Sequence, residues 1–117
     1  MVGSKILNLN SIDGVTVASF NVTSICGVTD VEELSTELRQ YVDSVKPQKL
    51  IIDFEGVKFF SSQMLGLLVD IWRRLGEYGG VFMISGTNPQ LGRVFKITNL
   101  DKLFKLYPDR QQALNSI

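Results

Sequence analysis

Apolar and polar positions alternate along two short segments near the start of the chain. The segments Lys5 to Asn10 and Val15 to Val22 both have the composition of strands, and the Asp13-Gly14 pair between them is a strong signal for a hairpin turn. The chain is therefore predicted to open with two antiparallel strands.

The pattern then changes to the period of a helix. Apolar residues three or four positions apart predict one buried stripe, made of Val31, Leu34, Leu38, Tyr41, Val42 and Val45. We expect Thr29 and Glu32 to form a capping box at the start of this helix, in which each side chain accepts a hydrogen bond from the other residue's backbone. Pro47 is expected to end the helix, because the residue before a proline avoids helical dihedral angles.

A buried strand and a second helix are predicted for the centre of the chain. Leu50 to Phe54 is a nearly continuous apolar run, which is typical of a strand covered on both faces. The second helix is predicted from about Ser62 to Tyr78, and Gly79-Gly80 is a good stop signal for it. A serine at this helix start can cap free backbone N–H groups through its hydroxyl, and a phosphate on that hydroxyl would be tolerated there.

Two more pairs of a strand and a helix complete the chain. Val81 to Ser85 and Leu103 to Tyr107 are predicted strands, Asn88 is the expected cap of the third helix, and Asp109 that of a terminal helix. The order ββαβαβαβα predicts a single α/β domain over residues 1–117, with a mixed, mostly parallel sheet that opens with a hairpin and carries helices packed on it. Residues 1–4 are expected to be a disordered start.

Composition and charge exclude several classes of protein. No apolar run approaches the roughly 20 residues that span a bilayer, and no secretory leader is visible, so we expect a cytoplasmic protein without direct membrane insertion. The net charge is zero and no basic patch is concentrated in the sequence, which argues against a nucleic-acid partner. The lone cysteine, Cys26, is interpreted as a small buried residue in a reducing compartment.

Charge is distributed unevenly between the halves of the chain. Residues 1–57 contain four basic and eight acidic side chains, whereas residues 58–117 contain eight basic and four acidic ones. Such asymmetry can steer a partner or bring copies of the chain together into a homo-oligomer. The alternative is two differently charged, solvated faces with no further role.

A hydrolase or transferase site is hard to assemble from the residues of this sequence. Histidine, the commonest general base and metal ligand, is absent, and no glycine-rich loop fits a phosphate or a dinucleotide. Asp53 and Glu55 lie at the end of a predicted parallel strand, where functional groups are common, but one of them capping the next helix is the simpler interpretation. We therefore expect no enzyme, no catalytic residue, no metal site and no cofactor.

The second helix has an unusually wide apolar surface. Its apolar residues cover an arc of roughly 200° at 100° per residue, and its polar positions fall on one narrow stripe: Gln63, Gly66, Asp70, Arg73, Arg74 and Glu77. Asp70 and Glu77 have the spacing for surface ion pairs with Arg73 and Arg74. Either the arc is fully buried, or its part near Met64 and Leu67 is exposed to a partner.

Two segments together resemble the STAS domain, the family of bacterial anti-sigma-factor antagonists. The first is the apolar strand with Asp53, followed by two small polar residues and Leu65-Gly66. The second is Leu91 to Phe104, in which Arg93, Phe95, Thr98, Leu100 and Phe104 stand in family-like positions. The resemblance covers residues 5–115 and agrees with the predicted order of strands and helices.

The resemblance implies a protein-binding switch. In the family, a partner that is both serine kinase and anti-sigma factor binds the unmodified antagonist and releases the phosphorylated one. Alignment on Leu65-Gly66 puts the acceptor at Ser62, with Ser61 as the alternative, and the implied partner surface is Ser61, Ser62, Gln63, Met64, Gly66, Leu67 and Asp70. The family's usual Asp-Ser-Ser/Thr-Gly-Leu-Gly differs here, because Ser61 replaces the acid and Met64 the first glycine.

Other functions are compatible with the same residues. Both serines could act only as helix caps, and the fold could then serve as a non-phosphorylated STAS scaffold or as a transporter-associated STAS subunit. A small-molecule or nucleotide binder is the third class, and the sequence shows no phosphate-cradling loop that would favour it.

Overall fold

The computed structural model describes residues 6–116, so the predicted disordered start, residues 1–4, lies outside the described residues. Its strands are β1 (Leu7–Ile12), β2 (Val15–Phe20), β3 (Ser24–Ile25), β4 (Lys49–Asp53), β5 (Phe59–Phe60), β6 (Val81–Ser85) and β7 (Lys105–Tyr107). Its helices are α1 (Val28–Val45), α2 (Ser62–Glu77), α3 (Pro89–Ile97) and α4 (Arg110–Asn115), and a 3₁₀ turn covers Leu100–Lys102. The described helices include none that is long and apolar enough to cross a lipid bilayer.

Five of the strands form one mixed sheet in the order β1-β2-β4-β6-β7. The pair β1 and β2 is antiparallel, and the remaining neighbours are parallel. At the hairpin, Asp13 and Gly14 have φ values of 51° and 80°, as the tight turns that match strand twist require. The predicted α/β class, the opening hairpin and the mostly parallel sheet are confirmed.

The sheet has helices on both faces, and the two cores differ in size. Because side chains alternate along a strand, Leu50 and Ile52 belong to the large core under α1, α2 and α3, whereas Ile51 belongs to a small core under α4. Phe54 extends the large core beyond the end of β4, with its ring centre 5.3 Å from those of both Phe20 and Phe60. Three helices therefore share one layer, and α2 is the central one.

A second, very small sheet was not predicted. The strands β3 and β5 pair in parallel over two residues each, with Ser24 opposite Phe59 and Ile25 opposite Phe60. Two-residue strands carry no periodic signal in the sequence, and the partners are 35 residues apart. This pairing matters because it fixes the segment that leads into α2.

Two predictions made near the start of α1 are wrong. The helix begins at Val28 with Gly27 as its N-cap, and no side-chain cap bond is formed, so Thr29 and Glu32 do not form a capping box. Cys26 is exposed rather than buried, because β3 ends at Ile25 and the chain turns outward into the helix.

The later elements agree closely with their predictions. The bounds of β6 are those expected, and the side chains of Asn88 and Asp109 cap α3 and α4 by accepting hydrogen bonds from Leu91 N and Gln112 N, both at 2.8 Å. The last strand begins at Lys105 rather than at Leu103, because the backbone N–H groups of Leu103 and Phe104 donate to Leu100 O at the end of the 3₁₀ turn.

Candidate docking site

The segment before α2 is held by backbone hydrogen bonds from elsewhere in the chain. Lys58 N donates to Thr23 O at 2.7 Å, and Ser61 N donates to Ile25 O at 2.9 Å. The amide of Asn88, at the start of α3, donates to the carbonyl oxygen of Val57 at 3.4 Å. The start of α2 is therefore positioned by β3 and by α3 rather than by its own sequence alone.

Ser61 is the N-cap residue of α2, but its hydroxyl does not act as a cap. Its backbone is extended, with φ −78° and ψ 163°, and its side chain makes no cap hydrogen bond. Its Oγ is buried and has no hydrogen-bond partner among residues 6–116. The interpretation of this serine as a side-chain cap is therefore wrong.

Ser62 has the opposite environment. It is the first residue of α2, its side chain is exposed, and no hydrogen bond joins its hydroxyl to another part of the described chain. The N-terminus of a 16-residue helix has free N–H groups and a partial positive charge, which suits an anion. The Ser62 hydroxyl is thus reachable, and a phosphate on it would meet a favourable local field.

A groove runs beside Ser62 between α1 and α2. Its volume is about 610 Å³, and its lining comprises Val31, Glu32, Ser35, Thr36, Arg39, Gln63, Gly66 and Leu67. Gly66 forms part of its wall, and a Cβ added at Gly66 would meet no atom within 4 Å. The missing side chain therefore widens the groove and does not serve packing within the domain.

The apolar arc of α2 faces inward. Met64 is fully buried and Leu67 is 3% exposed, so the interpretation of an exposed patch around these two residues is wrong. The methionine that replaces a glycine of the family pattern fills the core, and its bulk does not stand in the path of a partner. Leu65, Val69 and Trp72 are partly buried against the same core.

Asp70 is bound to two arginines within the domain. Its Oδ2 accepts hydrogen bonds from Arg39 Nε on α1 at 2.6 Å and from Arg74 Nε at 3.0 Å, and Arg74 Nη1 lies 2.7 Å from Asp43 Oδ2. Partial burial opposes ionisation, but these two arginines outweigh it and hold the pKa of Asp70 below its usual value. The predicted pair with Arg74 is confirmed, and the network also joins α1 to α2 along the groove.

Asp53 is buried in a second polar cluster, at the carboxyl end of β4. Its carboxylate is 1% exposed, and it accepts hydrogen bonds from Arg110 Nη2 at 2.8 Å, Arg110 Nε at 3.0 Å and Ser85 Oγ at 3.0 Å. The backbone N–H of Glu55 also points to it, at 3.3 Å. The prediction that Asp53 or Glu55 caps the next helix is wrong, since Asp53 instead ties α4 to β4 and β6.

Sequence reasoning missed several residues of the site. Phe59 is 52% exposed two residues before Ser61, because alternation along β5 turns Phe60 inward and Phe59 outward. That alternation could have been read only once the short strand was known. The groove residues of α1, such as Ser35 and Thr36, were hidden because only pairing of two helices creates the groove.

The site offers an exposed hydroxyl at a helix N-terminus beside an open groove, which is the geometry of a docking surface. No cluster of three or more potential metal ligands is found in the described part of the chain. The fold and the site therefore define an α/β domain with an exposed serine at the start of α2 and an open groove between α1 and α2. The STAS domain family model matches residues 8–113, and the chain belongs to this family.

Named relatives agree with that assignment. The anti-sigma-B factor antagonist of Staphylococcus aureus is 31% identical over 103 residues, which cover 83% of this chain and 91% of the relative. A Thermotoga neapolitana relative is 32% identical over 69 residues, but this segment is only 61% of that relative's length and 59% of this chain. An anti-sigma-factor antagonist domain protein of Planctomyces limnophilus has a solved structure with a TM-score of 0.86 and 31% identity, covering 94% of this chain and 96% of that one.

Proposed function

We propose that this chain is an anti-sigma-factor antagonist of the cytoplasm, which binds an anti-sigma factor that is also a serine kinase and is released when Ser62 is phosphorylated. The observation that carries the proposal is the contrast between neighbouring hydroxyls, with Ser62 exposed and Ser61 Oγ buried. The named relatives support the kind of partner. The chain acts by docking and takes no part in catalysis itself.

Ser62 has the properties of a modification site that controls docking. A phosphate adds about −1.5 to −2 charges near neutral pH, and the N-terminus of α2 stabilises that charge in the free protein. In a packed interface the same charge would have to lose its water without a paired cation, which is costly. Phosphorylation should therefore favour the free antagonist over the complex.

The partner is expected to contact the exposed part of the surface around Ser62. That part comprises Ser62, Gln63, Gly66 and Phe59, with the groove beside them. Met64 and Leu67 support this surface from the core, and Asp70 holds the groove wall through Arg39. These residues make up a contact layer and a supporting layer beneath it.

Incubation of the purified chain with its cognate kinase and ATP tests the proposal. Intact-mass spectrometry should show the gain of one phosphate on the natural chain and on Ser61→Ala, and no gain on Ser62→Ala. Peptide mapping should place the phosphate on Ser62. Phosphate on Ser61, or none on the natural chain, would overturn the assignment.

Gly66→Ala tests the groove separately from the phosphate. The new methyl group meets open space within the domain, so the fold should be retained, while the group projects into the groove. We expect the affinity for the anti-sigma factor to fall at least about tenfold, which corresponds to about 1.4 kcal/mol. Gly76→Ala is the matched control, since Gly76 lies on the same helix with equally open space and outside the groove.

A further inference from the structure

The first turns of α1 form an acidic flank, which we define as Asp30, Glu32 and Glu33. None of these three carboxylates forms an ion pair with a residue in the range 6–116, and Glu32 and Glu33 are exposed. Glu32 also lines the groove beside Gly66. This side of the molecule therefore presents unneutralised negative charge next to an open cleft.

The segment from α3 to β7 forms a basic flank, which we define as Arg93, Lys96, Lys102 and Lys105. All four side chains are exposed, and within the described range none of them has an acidic partner. The same segment carries two exposed apolar side chains, Ile97 at 73% and Leu103 at 45%. It combines positive charge, which complements the acidic flank, with two exposed apolar side chains.

The two flanks lie on opposite sides of the helical layer. The helix α1 lies in the crossover from β2 to β4, which also contains β3. The helix α3 connects β6 to β7, and α2 lies between α1 and α3. The molecule is about 30 Å across in its two longer dimensions. Because α2 lies between α1 and α3, and packed helices are about 8–10 Å apart, the flanks are separated by more than the Debye length of about 8 Å at physiological salt. The flanks therefore do not neutralise each other within one chain.

We infer that copies of this chain associate head to tail, with the basic flank of one copy seated on the acidic flank and groove of the next. A second copy suits this surface because its exposed cations complement the acidic flank, and its exposed apolar side chains match Val31 and Leu67 in the lining of the groove. Such a contact uses two different surfaces, so it does not close at a dimer and can add further copies. It also covers Gln63 and Gly66, and so competes with any partner that docks beside Ser62.

Sedimentation velocity of the full chain over a range of concentrations tests this inference. In low salt, the weight-average mass should rise with concentration from 13.1 kDa past the value of a dimer without a plateau. In 0.5 M NaCl it should return to the monomer, because screening weakens contacts between exposed charges. A monomer at all concentrations in low salt, or a salt-insensitive dimer, would overturn the inference.

Charge reversal identifies the surfaces involved. Glu32→Lys/Glu33→Lys and Lys96→Glu/Lys102→Glu should each weaken self-association at least tenfold, and an equimolar mixture of the two variants should restore it. Glu55→Lys/Glu77→Lys makes the same change of net charge at exposed acids outside the acidic flank, and it should leave association within about threefold of the natural chain. If the mixture fails to associate, or the control loses association equally, the flanks are not the interface.

Discussion

Two polar clusters, one at the end of β4 and one at the start of α2, differ in how completely their hydrogen bonds are satisfied. At the end of β4, Asp53 is buried and accepts hydrogen bonds from Arg110, Ser85 and the backbone of Glu55. At the start of α2, Ser61 Oγ is buried with no partner, and Ser62 is exposed. The first cluster is hydrogen-bonded through both carboxylate oxygens and stabilises the fold. The second cluster, a few residues later in the chain, has hydroxyl groups without hydrogen-bond partners in the described chain.

The difference shows where this fold tolerates a buried polar group without a hydrogen-bond partner. An unsatisfied buried hydroxyl costs about 1–3 kcal/mol, so selection for stability alone would remove it. Asp53, Ser85 and Arg110 do not line the groove, and their cluster joins three elements, whereas the serine pair lies on the surface proposed for docking. Changes in the first cluster should reduce stability, and changes in the second should alter docking.

The largest expected effect is that of Gly86→Ala. Gly86 has φ +71°, and a Cβ there would lie 2.5 Å from Asp53 Oδ1 and 2.7 Å from Glu55 N. Backbone strain and the clash together should lower the free energy of unfolding by at least about 2 kcal/mol, measured by urea denaturation. Gly56→Ala is the matched control, because Gly56 has φ +86° but open space, and an equal loss in both variants would rule out the clash.

Arg110→Met should have the next largest effect. It leaves the carboxylate of Asp53 without its cation, and Arg110 is 43% exposed, so water can replace part of the lost interaction. We expect a loss of about 2 kcal/mol in the free energy of unfolding, below the range for a fully enclosed pair. Lys105→Met removes the same charge from an exposed, unpaired position and should change stability by less than about 0.5 kcal/mol; similar losses in the two would contradict the role of the cluster.

Ser61→Ala should stabilise the fold, whereas Gly86→Ala and Arg110→Met should destabilise it. Removal of a buried hydroxyl that has no partner is expected to raise the free energy of unfolding by up to about 1 kcal/mol, as measured by urea denaturation. Ser62→Ala changes an exposed side chain and should stay within about 0.5 kcal/mol of the natural chain. A clear destabilisation by Ser61→Ala would mean that its hydroxyl does have a partner, and the contrast between the clusters would be lost.

Asp70→Asn gives the smallest expected change, and one that depends on pH. Because the pKa of Asp70 is lowered in the folded chain, its stabilising effect is present above about pH 4, its usual pKa range, and is lost as the pH falls through the lowered value. We expect Asp70→Asn to cost about 0.5 kcal/mol at pH 7, the size typical of solvent-screened ion pairs, and less at pH 2 than at pH 7. An equal loss in the free energy of unfolding at pH 7 and at pH 2 would show that the contribution of Asp70 to stability does not depend on its charge.

The sequence predicted those features that depend on neighbouring residues. The Asp13-Gly14 turn, the strand Val81–Ser85 and the caps at Asn88 and Asp109 are confirmed, since each depends on a few adjacent side chains. Features that depend on distant partners were missed. Arg110 meets Asp53 across 57 positions, and β3 meets β5 through strands too short to show a period.

The two serines illustrate the same limit within the site. Their position at the start of α2 was predicted, but the local sequence pattern does not show which of the two hydroxyls is exposed. The pairing of β3 with β5 turns Ser61 Oγ inward and leaves Ser62 on the surface. That distinction comes from a contact with residues 23–25, which no motif around the serines contains.

The role of Ser62 in docking is tested most directly by calorimetric titration of the cognate anti-sigma factor with the chain. The titration is carried out with the unmodified chain and with the chain phosphorylated by the kinase activity of that factor. We expect a phosphate on Ser62 to weaken binding at least about thirtyfold, which corresponds to about 2 kcal/mol. Ser62→Ala should bind the anti-sigma factor with the same affinity before and after the same treatment with ATP. Equal affinity of the phosphorylated and unmodified chains would contradict the claim that Ser62 controls docking.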